Sequence, residues 1–96
     1  MSEITVSRNE EDSRFEAFGG GQLLGYIEYT VDGKVMDLPH TLVLPEFEGQ
    51  GVGSALVRQT LDMIRAIDSD MRVKPTCPFI DVWIKRHKEY EDLLDG

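Results

Sequence analysis

The hydrophobic pattern of this chain changes period once, at the glycine-rich segment Glu48-Gly49-Gln50-Gly51-Val52-Gly53-Ser54. Upstream, apolar and polar residues alternate with the two-residue period of a strand that turns one face inward. Downstream, Val52, Leu56, Thr60, Met63 and Ile67 trace one stripe of a helix of about four turns, flanked by Ala55 and Ile64. A chain built this way must fold its strands first in sequence and then lay a helix on them.

The strand half divides at its polar and glycine-rich stretches. Ile4-Thr5-Val6 and Arg14-Phe15-Glu16-Ala17-Phe18 are predicted as short strands separated by the polar segment Asn9 to Ser13, and Gly19-Gly20-Gly21 makes the next turn. From Gln22 to Val31, Leu23, Ile27, Tyr29 and Val31 share one parity and are expected on one face. Asp32-Gly33 predicts a tight type I′ hairpin. The return strand, Lys34 to Leu44, would put Met36, Leu38, His40, Leu42 and Leu44 on one face if unbroken. Pro39 has no N–H for a ladder, so a bulge or splay is expected there, shifting His40 and Thr41 relative to Met36 and Leu38.

After the long helix, Arg72-Val73-Lys74 reads as a short fifth strand ended by Pro75. Pro78 suits the first turn of a second helix through Ile80, Trp83 and Ile84, and Tyr90, Leu93 and Leu94 suggest a last amphipathic turn. The fold class is therefore α/β, of an α+β-like kind: an antiparallel meander, a Gly-rich turn, a helix, a fifth strand and C-terminal helices. A chain of 96 residues has room for one hydrophobic core, so residues 1–96 are expected to form a single domain.

Composition excludes several functions. No apolar run approaches the ~20 residues that cross a bilayer, and Met1 to Glu11 lacks the basic and apolar regions of a leader, so a cytoplasmic location is expected and no membrane partner. The lone Cys77 allows no intrachain disulfide framework and no cysteine-based metal cluster. A net charge of −8 repels nucleic-acid phosphates, and the densest basic run is Lys85-Arg86-His87-Lys88, a stretch that on a helix is usually just solvated but is also able to contact a phosphate. An anionic ligand of such a protein must be attracted locally, by backbone N–H groups.

The glycine-rich turn can supply that attraction. Glycines let the backbone turn sharply and approach a ligand without a Cβ in the way, and the first N–H groups of the following helix point beyond its N-terminus. The plain alternative is a turn that needs glycine for geometry alone. A nucleotide-hydrolysing P-loop would carry Gly-Lys-Ser/Thr, whereas Gly53-Ser54 has no lysine. A dinucleotide turn would follow the first strand of a parallel sheet, not an antiparallel meander.

The order of these elements, the turn Gly49-Gln50-Gly51-Val52-Gly53, the pair His40-Thr41 and the segment Cys77-Pro78-Phe79 together resemble the GNAT N-acetyltransferases, in particular their short single-domain branch. The resemblance covers about Gln22 to Leu94. It implies a minimal GNAT-like fold whose turn amides, carried over to Gly49, Gln50, Gly51, Gly53 and Ser54, cradle the pyrophosphate of acetyl-coenzyme A, with no metal required. It also implies that the fourth and fifth strands splay to admit the pantetheine, and that a backbone N–H at Thr41 or Leu42 meets the thioester carbonyl. The position usually Gln or Arg is Glu48, and a carboxylate beside a pyrophosphate is repulsive, so Glu48 is expected to point away or to weaken affinity.

Catalytic candidates follow from what acetyl transfer requires: a deprotonated amine, a stabilised oxyanion and a protonated leaving thiolate. Cys77, near the start of the second helix, is the candidate nucleophile or proton donor. His40 is the candidate base, or a group that orients Cys77; structural roles are the plain alternative for both. The tyrosine acid of many GNAT enzymes matches Ile84 here, which makes Cys77 the more interesting substitute. The acceptor helices of larger members have no room between Val6 and Arg14. The resemblance therefore implies an N-acetyltransferase acting on an amine whose identity the sequence does not give, or else a non-enzymatic acetyl-CoA-binding or interaction module of the same fold. Assembly into a homo-oligomer is left open.

Overall fold

Three hairpins fix the register of the meander. The computed structural model describes residues 3–95, with strands β1 (Thr5–Asn9), β2 (Arg14–Gly19), β3 (Gln22–Asp32) and β4 (Val35–Val43), a 3₁₀ turn at Pro45–Phe47, helix α1 (Val52–Ile67), strand β5 (Arg72–Lys74), helix α2 (Pro78–Arg86) and a 3₁₀ segment at Lys88–Leu93. The sheet runs β1-β2-β3-β4-β5, antiparallel except for the parallel pair β4 and β5. That parallel pair requires a crossover, and α1 provides it.

The turn between β3 and β4 differs from the expected Asp-Gly hairpin. Asp32 still pairs with Val35, so the two-residue loop is Gly33-Lys34, and Gly33 alone has a positive φ, at 61°. Glycine at the first loop position with an ordinary residue after it is the pattern of a II′ turn rather than I′.

Cross-strand partners share a face, which divides the sheet cleanly. Arg8, Phe15, Ile27 and Thr41 stand in one row, and Ser7, Glu16, Tyr26 and Leu42 in the next, on the opposite face. The first face is the core. Phe15, Ala17, Ile27, Met36 and Leu38 are buried there with Val52, Leu56, Val57, Leu61 and Ile64 of α1, and with Ile80, Trp83 and Ile84 of α2. The other face carries exposed Ser7, Glu28 and His40, and an Arg14–Glu16 ion pair whose guanidinium lies 4.4 Å from the Tyr26 ring centre.

Three positions depart from the sequence stripes. A bulge opposite Ala17 and Phe18 adds a residue to β3, so Leu24 is buried while Leu23 is only half-buried; Val31, out on the hairpin, is exposed. On α1, Ile67 is 52% exposed because the helix ends there, past the edge of the sheet, and Val57 and Leu61 take up core positions instead. The strand signals at Ile4-Thr5-Val6 slide to Thr5–Asn9, since the antiparallel partner β2 continues to Arg14.

The C-terminal segment docks on α1 through a polar cluster around a buried tyrosine. Tyr90 donates its O–H to Asp62 Oδ1 at 2.8 Å and accepts from the Arg58 guanidinium at 3.3 Å, while Arg65 bonds Asp92 at 2.9 Å. Burial, then the bond to Asp62, raises the Tyr90 phenol above its ordinary range. Leu94 bridges Val73, which covers the outer edge of β5.

Thr60 is the exception in this core: it is fully buried in α1 and its Oγ1 has no hydrogen-bond partner among the described residues. A buried hydroxyl without a partner costs roughly 1–3 kcal/mol, so Thr60→Val, of the same shape, is expected to stabilise the fold by about 1 kcal/mol in chemical denaturation. An unchanged or lower midpoint would mean that the hydroxyl has a partner after all.

Candidate active site

The site begins with an interrupted strand pair. β4 pairs with β5 only from Val35 to Asp37, opposite Arg72 to Lys74. Between the pairs Glu28–His40 and Thr30–Asp37, β4 carries one more residue than β3, so a bulge falls at Leu38-Pro39 as the proline demands. The last bond across the gap runs from the Cys77 N–H to the Leu38 carbonyl at 2.9 Å.

Beyond the bulge, β4 belongs to β3 alone. Leu44 donates its N–H to the Leu24 carbonyl at 2.9 Å, and ladder bonding alternates, so Leu42 and His40 also turn their backbone groups toward β3. Thr41 and Val43 therefore direct their N–H and C=O groups away from β3, across the opening where β5 has ended. Their side chains point to the core side of the sheet, in the row of Ile27 and Gly25.

The N-terminus of α1 faces the same opening. Its N-cap is Gly51, at φ 79°, and no side chain caps it. The N–H groups of the first turn, Val52 to Ser54, are therefore uncapped by any side chain, and they carry the positive end of the helix dipole. Gly49 also has a positive φ, at 80°, and a Cβ added at Gly49 or Gly51 would meet nothing within 4 Å, so these glycines serve the backbone turn. Gly53 differs. A Cβ there would stand 2.9 Å from Phe79 Cζ, so its missing side chain makes room for the ring.

These parts enclose a cleft of ≈ 480 Å³ lined by Thr41, Val43, Phe47, Glu48, Gly49, Gly51, Val52, Gly53, Ser54 and Phe79. Ser54 Oγ accepts a hydrogen bond from Trp83 Nε1 at 2.9 Å, which leaves its own O–H to donate. Glu48 is exposed at the rim, the one carboxylate among the lining residues. At the Thr41 end sits Cys77, 7% exposed and the N-cap of α2, its Sγ 3.4 Å from Thr41 Oγ1.

Of the residues singled out in the sequence, the fold gathers Thr41, Gly49, Gly51, Gly53 and Ser54 around one cleft, with the buried Cys77 next to Thr41. Gln50 is exposed, its side chain turned back to the Glu46 carbonyl at 3.5 Å. His40 and Leu42 lie on the other face of β4: His40 is exposed beside Glu28 and makes no hydrogen bond to Cys77. Thr41 takes the place beside the thiol. Val43, Phe47, Val52 and Phe79 also line the cleft; Val52, within the Gly-rich turn, and Phe79, in its Cys-Pro-Phe segment, carried a signal in the sequence. Among the described residues no cluster of His, Cys, Asp and Glu is gathered to hold a metal ion, and no helix is long and apolar enough to cross a membrane.

This geometry of an interrupted β4–β5 pair facing an uncapped helix defines a class that comparison with known families identifies. The family described as GCN5-related N-acetyl-transferase matches residues 14–93. The chain belongs to that family, whose members transfer acyl groups. A GCN5-like protein from Staphylococcus aureus, solved by NMR, has a similar fold: TM-score 0.70 and 24% identity, over 100% of this chain and 92% of that one. No curated protein sequence matches the chain.

The two glycines of the turn are expected to respond oppositely to alanine. Gly51→Ala forces a side chain into the left-handed region and should destabilise the fold by about 1–2 kcal/mol. Gly53→Ala gains helix propensity of up to about 1 kcal/mol, and half-exposed Phe79 can yield, so its stability should be unchanged or raised. Equal losses in thermal unfolding would contradict this division.

Proposed function

We propose that the protein is an N-acetyltransferase that takes acetyl-coenzyme A and an amine. The observation that carries this is the meeting, in one cleft, of the uncapped α1 N-terminus and the free backbone edge of β4. The first suits a pyrophosphate, and the second suits the amide groups of a pantetheine arm lying in the place of a missing strand.

In this reading the backbone from Gly49 to Ser54, with the Ser54 hydroxyl, holds the pyrophosphate. The Thr41 N–H, directed across the gap, meets the thioester carbonyl and stabilises the oxyanion as the amine nitrogen attacks the carbonyl carbon. When the carbon–sulfur bond breaks, Cys77 gives its proton to the departing sulfur, and the proton lost from the amine restores the thiol. His40, on the far face, has no part in holding the thioester; its proposed use is as a base only for an acceptor arriving from that side.

A binding module without turnover is the second reading. It is favoured by the turn from Glu10 to Ser13, which joins β1 to β2 directly with no element to build an acceptor site, and by Ile84, buried in the core where a tyrosine acid would stand. Turnover with a panel of amines separates the two.

Calorimetry with coenzyme A tests the cofactor site. Gly53→Val should weaken binding at least tenfold while the fold survives. Glu48→Arg, by removing a repulsive carboxylate at the rim, should tighten binding by about threefold to tenfold. Unchanged affinity in a folded Gly53→Val variant would rule the site out.

Cys77 is tested separately. Cys77→Ala should bind coenzyme A normally and lose about 10²-fold in acetyl transfer, and the cofactor should shield the wild-type thiol from iodoacetamide. Full activity in Cys77→Ala, with labelling indifferent to cofactor, would leave Cys77 a core residue.

A further inference from the structure

β1 is the outer strand of the sheet, so one side of its backbone has no neighbouring strand. Such an edge is a template for pairing with another chain, and it is ordinarily blunted by proline, by lysine or by a bulge. β1 has none of these. Its residues Thr-Val-Ser-Arg-Asn pair with β2 without a register shift, and their one charge, Arg8, turns its Nε to the Tyr29 hydroxyl at 3.0 Å. At the opposite edge of the sheet Leu94 bridges Val73, and Asp95 donates its N–H to the Val73 carbonyl at 3.0 Å, so β5 is covered by the chain's own backbone.

What covers β1 is a side chain. Gln59, half-buried on α1, accepts the Val6 N–H with Oε1 at 3.1 Å and donates from Nε2 to the Ile4 carbonyl at 2.9 Å. These two backbone groups flank Thr5. They are the pair that one residue of a parallel neighbour would take, donating to the residue before its opposite number and accepting from the one after. The Gln59 amide thus stands in for a further strand at one position. The Val6 carbonyl and the Arg8 N–H turn outward as well, because alternate residues of a strand bond to opposite sides.

We propose that Gln59 is an edge cap that keeps the chain from pairing with a second copy of itself: without the cap, β1 pairs antiparallel with β1 of the other copy about a two-fold axis at Val6. The register argues for this occupant. Each Val6 N–H then meets the Val6 carbonyl of the other copy, and each Arg8 N–H meets the other copy's Ile4 carbonyl. Thr5 stands opposite Ser7 and Arg8 opposite Ile4, so no like charges oppose one another. The Val6 N–H and the Ile4 carbonyl are the groups that Gln59 holds, so cap and second copy exclude each other. The contact is isologous and joins the two sheets into one, and the cleft at the α1 N-terminus takes no part in it.

Sedimentation velocity over a concentration series, with amide hydrogen exchange at Val6 and Arg8, tests this on the whole chain. In the wild type the Val6 amide should be protected, and exchange at Arg8 should not depend on concentration. Gln59→Ala, which keeps a good helix former in α1, should raise the self-association constant at least about tenfold and protect the Arg8 amide as concentration rises. Thr5→Lys with Ser7→Lys, both at exposed positions, sets like charges opposite each other in this register and should return the Gln59→Ala chain to the wild-type state. A Gln59→Ala variant that sediments as the wild type does would overturn the proposal. So would self-association that survives both lysine substitutions, or protection of Arg8 that grows with concentration in the wild type.

Discussion

Pro39 cannot donate a backbone hydrogen bond, and the candidate site depends on that defect. β5 ends at Lys74, before Pro75, so β4 has no β5 partner past Asp37 and the edge offered by Thr41 and Val43 stays free. The bulge at Leu38-Pro39 moves the strand by one residue, turning Thr41 to the core side and His40 to the far side. The single bond from Cys77 to the Leu38 carbonyl then closes the pair at its last usable position and fixes where α2 begins. Pro39 thus sets the facing of Thr41 and His40, while the end of β5 before Pro75 and the start of α2 at Pro78 set the gap and the place of the thiol.

The acidic character of the chain makes the second constraint intelligible. With a net charge of −8, general attraction for a phosphate ligand is absent, so affinity must come from groups that act over a few ångströms. Uncapped amides at the start of α1 and the Ser54 hydroxyl are such groups, and their partial charges are not diluted by the overall field. The same reasoning gives Glu48 its interest, since it is the lining residue that opposes this arrangement.

Much of this was legible in the sequence because burial of one sheet face imposes period two and burial of one helix stripe imposes a period near four. The four strands, both helices, the fifth strand and the bulge at Pro39 follow from those periods and from what proline lacks. The inward turn of Leu24 was not legible: it comes from a bulge against β2, set by where two strands meet, and no proline marks it. The hairpin at Gly33-Lys34 was misread for a similar reason, since Asp-Gly and Gly-Lys are both acceptable loops and the register of the ladder decides between them. In the site, the glycines and Cys77 announced themselves by residue type. Val43 and Phe47 did not, because an apolar residue lining a cleft reads in sequence as one more core position. His40 and Thr41 are adjacent in sequence, and only the register decides which of them faces the core.

The central claim is that one ligand spans the α1 N-terminus and the free edge of β4. Amide chemical shifts followed during titration with coenzyme A report on both places in a single experiment. The account predicts that the amides of Gly49 to Ser54 and those of Thr41 and Val43 shift together, with one saturation curve. Shifts confined to the other face of the sheet, or a turn and a strand edge that respond with different affinities, would contradict it.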